Sequence, residues 1–582
     1  FSSRRRHTRL GRWSRGLGDV YKRQNYYNPL GRALIDGQPN PNRLPDPTGA
    51  IYADVPDEGY ELNMDLYRFD EYPRITNNDG EAIRVVAGLR GTLGDWDWES
   101  DIVWSEATRD EVTNNRLSNT LITQALFDPT PAAYNHFSAG VNSKIESALI
   151  DVYRNGESTL TSWDLKFSNP EWFNLFSRPV GFVAGYEFRE EEYVDDRDPR
   201  LDGTIRFMRE SDPINNPGVF DIEGDFEGDT YPFTSDVMRS SPTPDGAGSR
   251  KTNSLFAEFQ LPLTDNLDVQ LAARYEDFDD IGDTTVGKVA FGWRPLDMLL
   301  VRGSWSEAFR APNLITINEA FVARSNNRDD WVCQYAQDNG AIGDACDDFY
   351  GVQRQASGSR LLVPEQSTNT SIGFVLQPHE SVTLTFDMWS IEKEDTIGLF
   401  GEENHILYDL VLRLEAGTAN CSDPASLGNP AVSRVAHDPT DTDLVDGFLD
   451  VGLCPVGEVD FVSDVYTNLD TRKLEGYDLG IYWDLDSDSG DWRFKYNGSF
   501  YTEFEQTASG PLSTAVIAAK EANPDIVYPL VGLGDLLGIN GNQKSRHSAS
   551  ITWRKNDWGA SIQGFRISAF NQILSNGDAF PI

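Results

Sequence analysis

From residue 60 onward the chain alternates apolar and polar residues over stretches of about 10 to 15 positions. In NLDVQLAARYEDF (266–278), Leu267, Val269, Leu271, Ala273 and Tyr275 share one face, with Asp268, Gln270, Arg274 and Glu276 on the other. WRFKYNGSF (492–500), LEGYDLGIYWDL (474–485), SVTLTFDMW (381–389) and TVGKVAFGWRP (285–295) repeat the pattern. A side-chain period of two is that of a β-strand. Strands of this length exceed the usual globular mode of about 5–6 residues. A tilted strand crossing a bilayer needs about 9–11.

The links between these stretches alternate too. Short turns fall at Leu263–Asn266, Arg294–Asp297, Gln377–Ser381, Asp486–Asp491 and Arg554–Asp557. Long links occupy 113–157, 195–250, 309–364, 395–465 and 507–544, with 278–284 the brief member of that set. The pattern predicts about fifteen strands: 60–72, 82–93, 96–112, 158–168, 180–194, 252–262, 267–277, 284–294, 298–308, 366–376, 382–394, 467–485, 492–506, 545–554 and 558–570.

Antiparallel strands of this kind fit a soluble sandwich, with apolar faces meeting in a core. They also fit a transmembrane barrel, with apolar faces on lipid and polar faces around water. Strand length favours the barrel, as does the restriction of short turns to one end. Aromatic residues near strand ends favour it as well: Trp96, Trp98, Trp104, Trp172, Phe173, Trp293, Trp553 and Trp558 suit interfacial girdles. No run of about 18 apolar residues occurs, so no helix is expected to span a membrane.

The formal charge is −42, which argues against a nucleic-acid partner because phosphate binding needs Lys and Arg clusters. The basic residues that do cluster lie in FSSRRRHTRLGRWSRGLGDVYKRQ (1–24). That string has no apolar region suited to a signal peptide. It resembles translated sequencing-adapter read-through and is set apart as non-native, leaving 25–582 as the native chain. The cysteines fall in two local pairs, Cys333 with Cys346 and Cys421 with Cys454, both in Asp-, Asn- and Gly-rich links. Without CxxC or histidines at ligand spacing, two disulfides in an oxidising compartment are expected rather than a metal site. None of His7, His136, His379, His405, His437 and His547 lies in a metalloprotease motif, and neither GxSxG nor a P-loop occurs. No catalytic residue, cofactor or metal is expected.

The stretch VRGSWSEAFRAPNL (301–314) strongly resembles the barrel signature of TonB-dependent outer-membrane receptors. Its positions here are Ser304, Trp305, Ser306, Glu307, Ala308, Phe309, Arg310, Ala311 and Pro312. NSLFAEFQLPLTDNLDVQLAARYEDFDD (253–280), LVPEQSTNTSIGFVLQP (362–378) and LEGYDLGIYWDL (474–485) resemble the same family. In this reading Trp305 closes the apolar row of Leu299, Val301 and Gly303. Pro312, lacking an N–H, ends the ladder. Glu307 and Arg310 are placed to pair locally.

The resemblance implies an all-β fold: an antiparallel barrel of about 22 strands around a globular plug, with short periplasmic turns and long extracellular loops. Fifteen strands and no plug-like segment imply a partial barrel over 25–582, with plug, TonB box and final strands absent. It also implies the outer membrane of a Gram-negative bacterium and import of a scarce bulky ligand such as a siderophore, haem, cobalamin or oligosaccharide. TonB, with its inner-membrane energising proteins, would act through the plug. A passive porin is the alternative, and a barrel enzyme a more distant one. Trp331, Tyr335 and Tyr350, among the carboxylates of the 309–364 link, are the candidate ligand contacts.

Overall fold

The computed structural model describes residues 25–35, 37–44, 57, 59, 67–69, 71–126, 128, 130–138, 144–210, 220–222, 235–340, 346–573 and 579–581. The main strands in chain order begin with β1 (Ile75–Leu93), β2 (Trp96–Leu117), β3 (Leu149–Leu175) and β4 (Arg178–Arg197). Next come β5 (Gly246–Thr264), β6 (Leu267–Phe278), β7 (Gly282–Leu296), β8 (Leu299–Arg310), β9 (Val322–Asp329) and β10 (Phe349–Ser357). Then follow β11 (Glu365–His379), β12 (Val382–Glu394), β13 (Val432–Arg434) and β14 (Val459–Val465). The last are β15 (Thr471–Ser487), β16 (Gly490–Thr507), β17 (Ser545–Lys555) and β18 (Trp558–Ile567).

Fourteen of these form one antiparallel sheet, in the order β18-β17-β16-β15-β12-β11-β8-β7-β6-β5-β4-β3-β2-β1, and the two-residue strand Gly534–Asp535 pairs with β16. Two-residue turns close β1–β2, β3–β4, β5–β6, β7–β8, β11–β12, β15–β16 and β17–β18 at one end of the sheet. Except at 279–281, the other end opens into long excursions.

The register explains the alternation. Apolar side chains of neighbouring strands face one another across the sheet: Trp104 opposite Val85, Ile102 opposite Trp163, Tyr186 opposite Leu255. The row continues through Leu271 opposite Val289, Val289 opposite Trp305, Ile372 opposite Met388, and Trp483 opposite Phe494. Those side chains are not covered: Leu255 is 56% exposed, Ile372 57% and Met388 53%. The opposite face is lined by paired polar groups. Arg274 donates to Glu187 at 2.9 Å and to Ser254 at 3.1 Å, and Ser304 and Ser371 share a 2.8 Å hydrogen bond. An apolar face left bare and a polar face internally satisfied is inside-out for a water-soluble sheet. It is the arrangement of a barrel wall in lipid. Around the tight-turn end, Trp172 packs on Phe182 at 4.6 Å and Trp492 lies 6.2 Å from Trp553, forming the aromatic belt.

Two glycines serve close approach. Arg302 on β8 reaches Asp387 on β12 at 2.6 Å across the intervening β11, and the residue between them in register is Gly373. A Cβ there would sit on the Asp387 carboxylate. On the apolar face, a Cβ at Gly303 would lie 2.6 Å from the Phe291 ring.

Several expectations are corrected. The predicted strand 60–72 lies mostly outside the described residues. Where it is described, Tyr67 and Phe69 are not in a strand; they pack on a small core of Ile122, Tyr134, Ile145 and Ala148. The predicted strand 467–485 is broken: Thr467–Asn468 pairs with Ile397–Gly398, and β15 begins at Thr471. Strands β2, β3 and β4 run to 22, 27 and 20 residues, longer than expected. At about 3.3 Å per residue these project far beyond an approximately 30 Å hydrocarbon layer. Outside lipid both faces meet water, so the alternation fades although the ladder continues.

The largest correction concerns the long links. Those at 309–364, 395–465 and 507–544 build one folded cap with its own core. Its sheet has the order β9-β10-β14-β13, with β10 and β14 parallel. Its helices are α1 (Trp331–Asn339), α2 (Glu402–Ala416), α3 (Thr442–Asp450) and α4 (Pro511–Ala522). Helix α2 presents Ile406, Leu407, Leu410 and Val411 as a helical stripe. They join Val332, Phe448, Val462 and Val516 in a single buried cluster drawn from all three links. Disulfides Cys333–Cys346 and Cys421–Cys454 staple it.

Candidate functional site

The site is the mouth where the polar-lined face of the sheet meets the cap. The 304–312 signature forms its rim. Strand β8 carries Trp305 on the bare apolar face and Ser304 on the polar face, and it ends at Arg310, just before Ala311 and Pro312. Ser306 lies opposite Lys288 and Asn369, Ala308 lies opposite Ser367, and Phe309 meets the Phe278 ring edge-on at 6.0 Å. The expected Glu307–Arg310 pair is absent. Residues three apart in a strand point to opposite faces. Glu307 instead accepts from the Gly287 N–H at 3.2 Å, while Arg310 pairs with Glu365, directly opposite on β11, at 2.6 Å. Glu365 is buried and also receives Lys393 Nζ at 3.2 Å and the Ile397 N–H at 2.8 Å. It ties the rim to the strand that leads into the cap, and the sequence reading missed it.

The three candidate contact residues are brought together, but as core rather than as a ligand surface. Trp331 stacks on Tyr528 with centroids 4.8 Å apart; it and Tyr335 are buried. Tyr350 donates from its hydroxyl to Asp330 at 2.7 Å and accepts from the Val459 N–H at 2.6 Å. Burial, together with the Asp330 charge, pushes the Tyr350 phenol well above its ordinary value. Aromatic residues in an acidic segment mark contacts only if the segment stays open, and this one folds.

Beneath that core runs a buried ionic network. Arg434 donates to both Asp330 oxygens at 2.7 and 2.8 Å and to Asp409 at 2.8 Å, and Arg413 adds a 2.9 Å bond to Asp409. Burial opposes ionisation of Asp330. The Arg434 charge and hydrogen bonds from Arg434, Tyr350 and the Val332 N–H outweigh it and hold the carboxyl below its usual range. At the N-terminus of α2, Asp464 accepts from the N–H groups of Phe400 and Gly401 at 3.1 and 3.2 Å and from His405 at 3.3 Å. A carboxylate there is favoured by the helix dipole. Each carboxylate joins segments distant in sequence, so the network holds the cap as one body.

Between cap and barrel rim lies a cleft lined by Phe400, Asn404, Asp470, Arg472, Gln506 and Val531 among others. Arg472 gives two hydrogen bonds to the uncharged Gln506, at 3.2 and 2.7 Å. Among the described residues, no group of three or more His, Cys, Asp or Glu side chains is arranged to hold a metal ion, and no helix is long and apolar enough to cross a membrane.

A family model described as TonB dependent receptor-like, beta-barrel matches residues 12–579. The chain belongs to the TonB-dependent receptor β-barrel family. In this family member the signature, the tight turns and the bare apolar band fall together on one wall. Among solved structures, it is similar to the siderophore receptor PirA from Acinetobacter baumannii, at 12% identity and a TM-score of 0.47, covering 85% of this chain and 51% of that one. A mutant of the ferric enterobactin receptor PfeA from Pseudomonas aeruginosa gives 13% identity and 0.48, covering 86% and 51%. The pyoverdine receptor FpvA from Pseudomonas aeruginosa gives 12% and 0.44, covering 87% and 53%. The TonB-dependent receptor chain thus spans about half the length of these structures. No curated protein sequence matches. The family assignment rests on the match over 12–579.

Proposed function

We propose that this chain is the wall and mouth of an importer in the outer membrane of a Gram-negative bacterium, taking up a bulky ligand with energy delivered by TonB. The observation that carries this reading is the folded cap over a polar-lined mouth, in a member of the receptor family. A pore for small solutes needs only a constriction. A cap with its own core, ionic network and disulfides is suited to holding a large ligand against a fixed surface. The ligand would be caught between cap and rim. TonB, with its inner-membrane partners, would act on the plug, and the ligand would pass along the polar face. This is transport by conformational change: a ligand shifts such an equilibrium only through unequal affinity for its two states.

The test is uptake in cells that depend on the receptor for a bulky nutrient. Growth should fail when TonB is deleted and return when it is restored. Growth unchanged by TonB deletion would make the protein a passive pore.

A further inference from the structure

In the cap hairpin, Arg324 on β9 and Arg354 on β10 are directly opposite cross-strand partners. Opposed side chains in an antiparallel pair have Cβ atoms about 4.5–5.5 Å apart, and like charges so placed destabilise the pair. Several other arginines of the wall and cap have a close carboxylate: Arg310 has Glu365, Arg274 has Glu187, and Arg434 has Asp330. Among the described residues Arg324 has no carboxylate within 4 Å, and its guanidinium donates to the neighbouring Ala323 carbonyl at 3.1 Å. Arg354 comes no nearer to its partner Glu402 than 3.7 Å, and Glu402 is already shared with Arg328 at 3.6 Å. The buried Nε of Arg354 has no hydrogen-bond acceptor, and neither has that of Arg197.

Arg197 completes the group. It closes β4 on the same face as Glu187, Tyr193 and Asp195, the polar face that surrounds water. Its one carboxylate, Asp195 at 2.7 Å, also serves Arg154. A single glutamate, Glu319, lies within electrostatic range of Arg324, Arg197 and Arg354 together. In a chain of net charge −42, a concentration of undercompensated arginine at the mouth is against the trend.

We propose that Arg324 and Arg354, with Arg197 at the end of β4, form a receiving site for a soluble anionic ligand that presents carboxylate- or phosphate-type oxygens. The inference deepens the import reading by naming a ligand charge class for that mouth. Planar guanidinium groups with free N–H donors match such oxygens in pairs. Because Arg197 belongs to the water-lined face, the occupant is a free solute rather than a lipid headgroup.

The test uses the full chain folded in zwitterionic detergent, with citrate and pyrophosphate as probes and maltose as the neutral control, by titration calorimetry at low salt. The chain should bind the anions and not maltose. The double variant Arg324→Gln/Arg354→Gln should bind them about tenfold or more weakly. Adding phosphatidylglycerol to the micelles should not displace citrate. Equal binding by wild type and variant, absence of anion binding, equal binding of maltose, or displacement by the anionic lipid would each overturn the proposal. Should the double variant not fold, Arg324→Gln alone serves, since its side chain is exposed and carries no ion pair. It should weaken binding in the same direction, and no change would again overturn the site. These outcomes are independent of TonB-dependent growth, so the site and the import reading fail separately.

Discussion

Arg310 of the signature faces Glu365 across the β8–β11 ladder, with Nε 2.6 Å from the Glu365 carboxylate, and both lie where the wall becomes the mouth. The two partners are not equal. The Glu365 side chain is 3% exposed and serves three donors, whereas that of Arg310 is 65% exposed.

Glu365→Ala should therefore cost about 1–3 kcal/mol, the usual penalty for leaving desolvated donors unmet, here chiefly the part-buried Ile397 N–H and, less, the half-buried Lys393. Arg310→Ala should cost about 0–1 kcal/mol, because a surface partner is replaced by water. Denaturant unfolding of the two variants in detergent checks the asymmetry; equal costs would contradict the hub role given to Glu365.

Ile372 and Ser371 are neighbours on β11 with opposite outlooks. Ile372→Arg puts a charge in the apolar band and should destabilise by about 2–4 kcal/mol if it sits near the bilayer midplane. Ser371→Arg points into the polar face and should change stability by less than about 1 kcal/mol. Reversible unfolding from liposomes measures both.

The cap network should respond to acid. The carboxyl of Asp330 is held below its ordinary value in the folded cap, so its contribution is present above the unfolded value of about 4. The contribution is lost as pH falls from there through the lower, folded value. Asp330→Asn should remove that part of the acid sensitivity, seen as a flatter profile of cap proteolysis between about pH 5 and 2. Arg434→Ala leaves Asp330 and Asp409 buried without their partner and should cost about 3–5 kcal/mol at neutral pH.

The disulfides act on the cap alone. Cys421→Ser/Cys454→Ser should lower cap stability by about 2–4 kcal/mol, and by more than the Cys333–Cys346 double substitution, because it closes the longer loop. Limited proteolysis should then cut within 395–470 while the barrel strands stay protected.

How much of this was legible depends on where the chain meets lipid. The wall was readable because each bilayer-crossing strand must alternate, so Leu267 through Tyr275 alone reveal a face. The extensions of β2, β3 and β4 were not, since ladders in water carry no such demand; pairs such as Arg154 with Asp195 hold them there. The cap was hidden because its core is assembled from three links. Trp331 finds Tyr528 across most of the mouth's sequence, and no local period announces that contact. The partner of Arg310 is Glu365 rather than Glu307, since three-residue spacing suits a helix and not the strand it occupies.

The central claim is that the alternating apolar face touches acyl chains while its opposite lines water. Nitroxide labels placed singly at 369, 371, 372 and 374 of β11, in chain reconstituted into bilayers, test it by collision with oxygen and with a water-soluble nickel complex. Oxygen should dominate at 372 and 374 and nickel at 369 and 371, a period of two. Uniform accessibility along the strand, or nickel favoured at Ile372 and Phe374, would contradict the account.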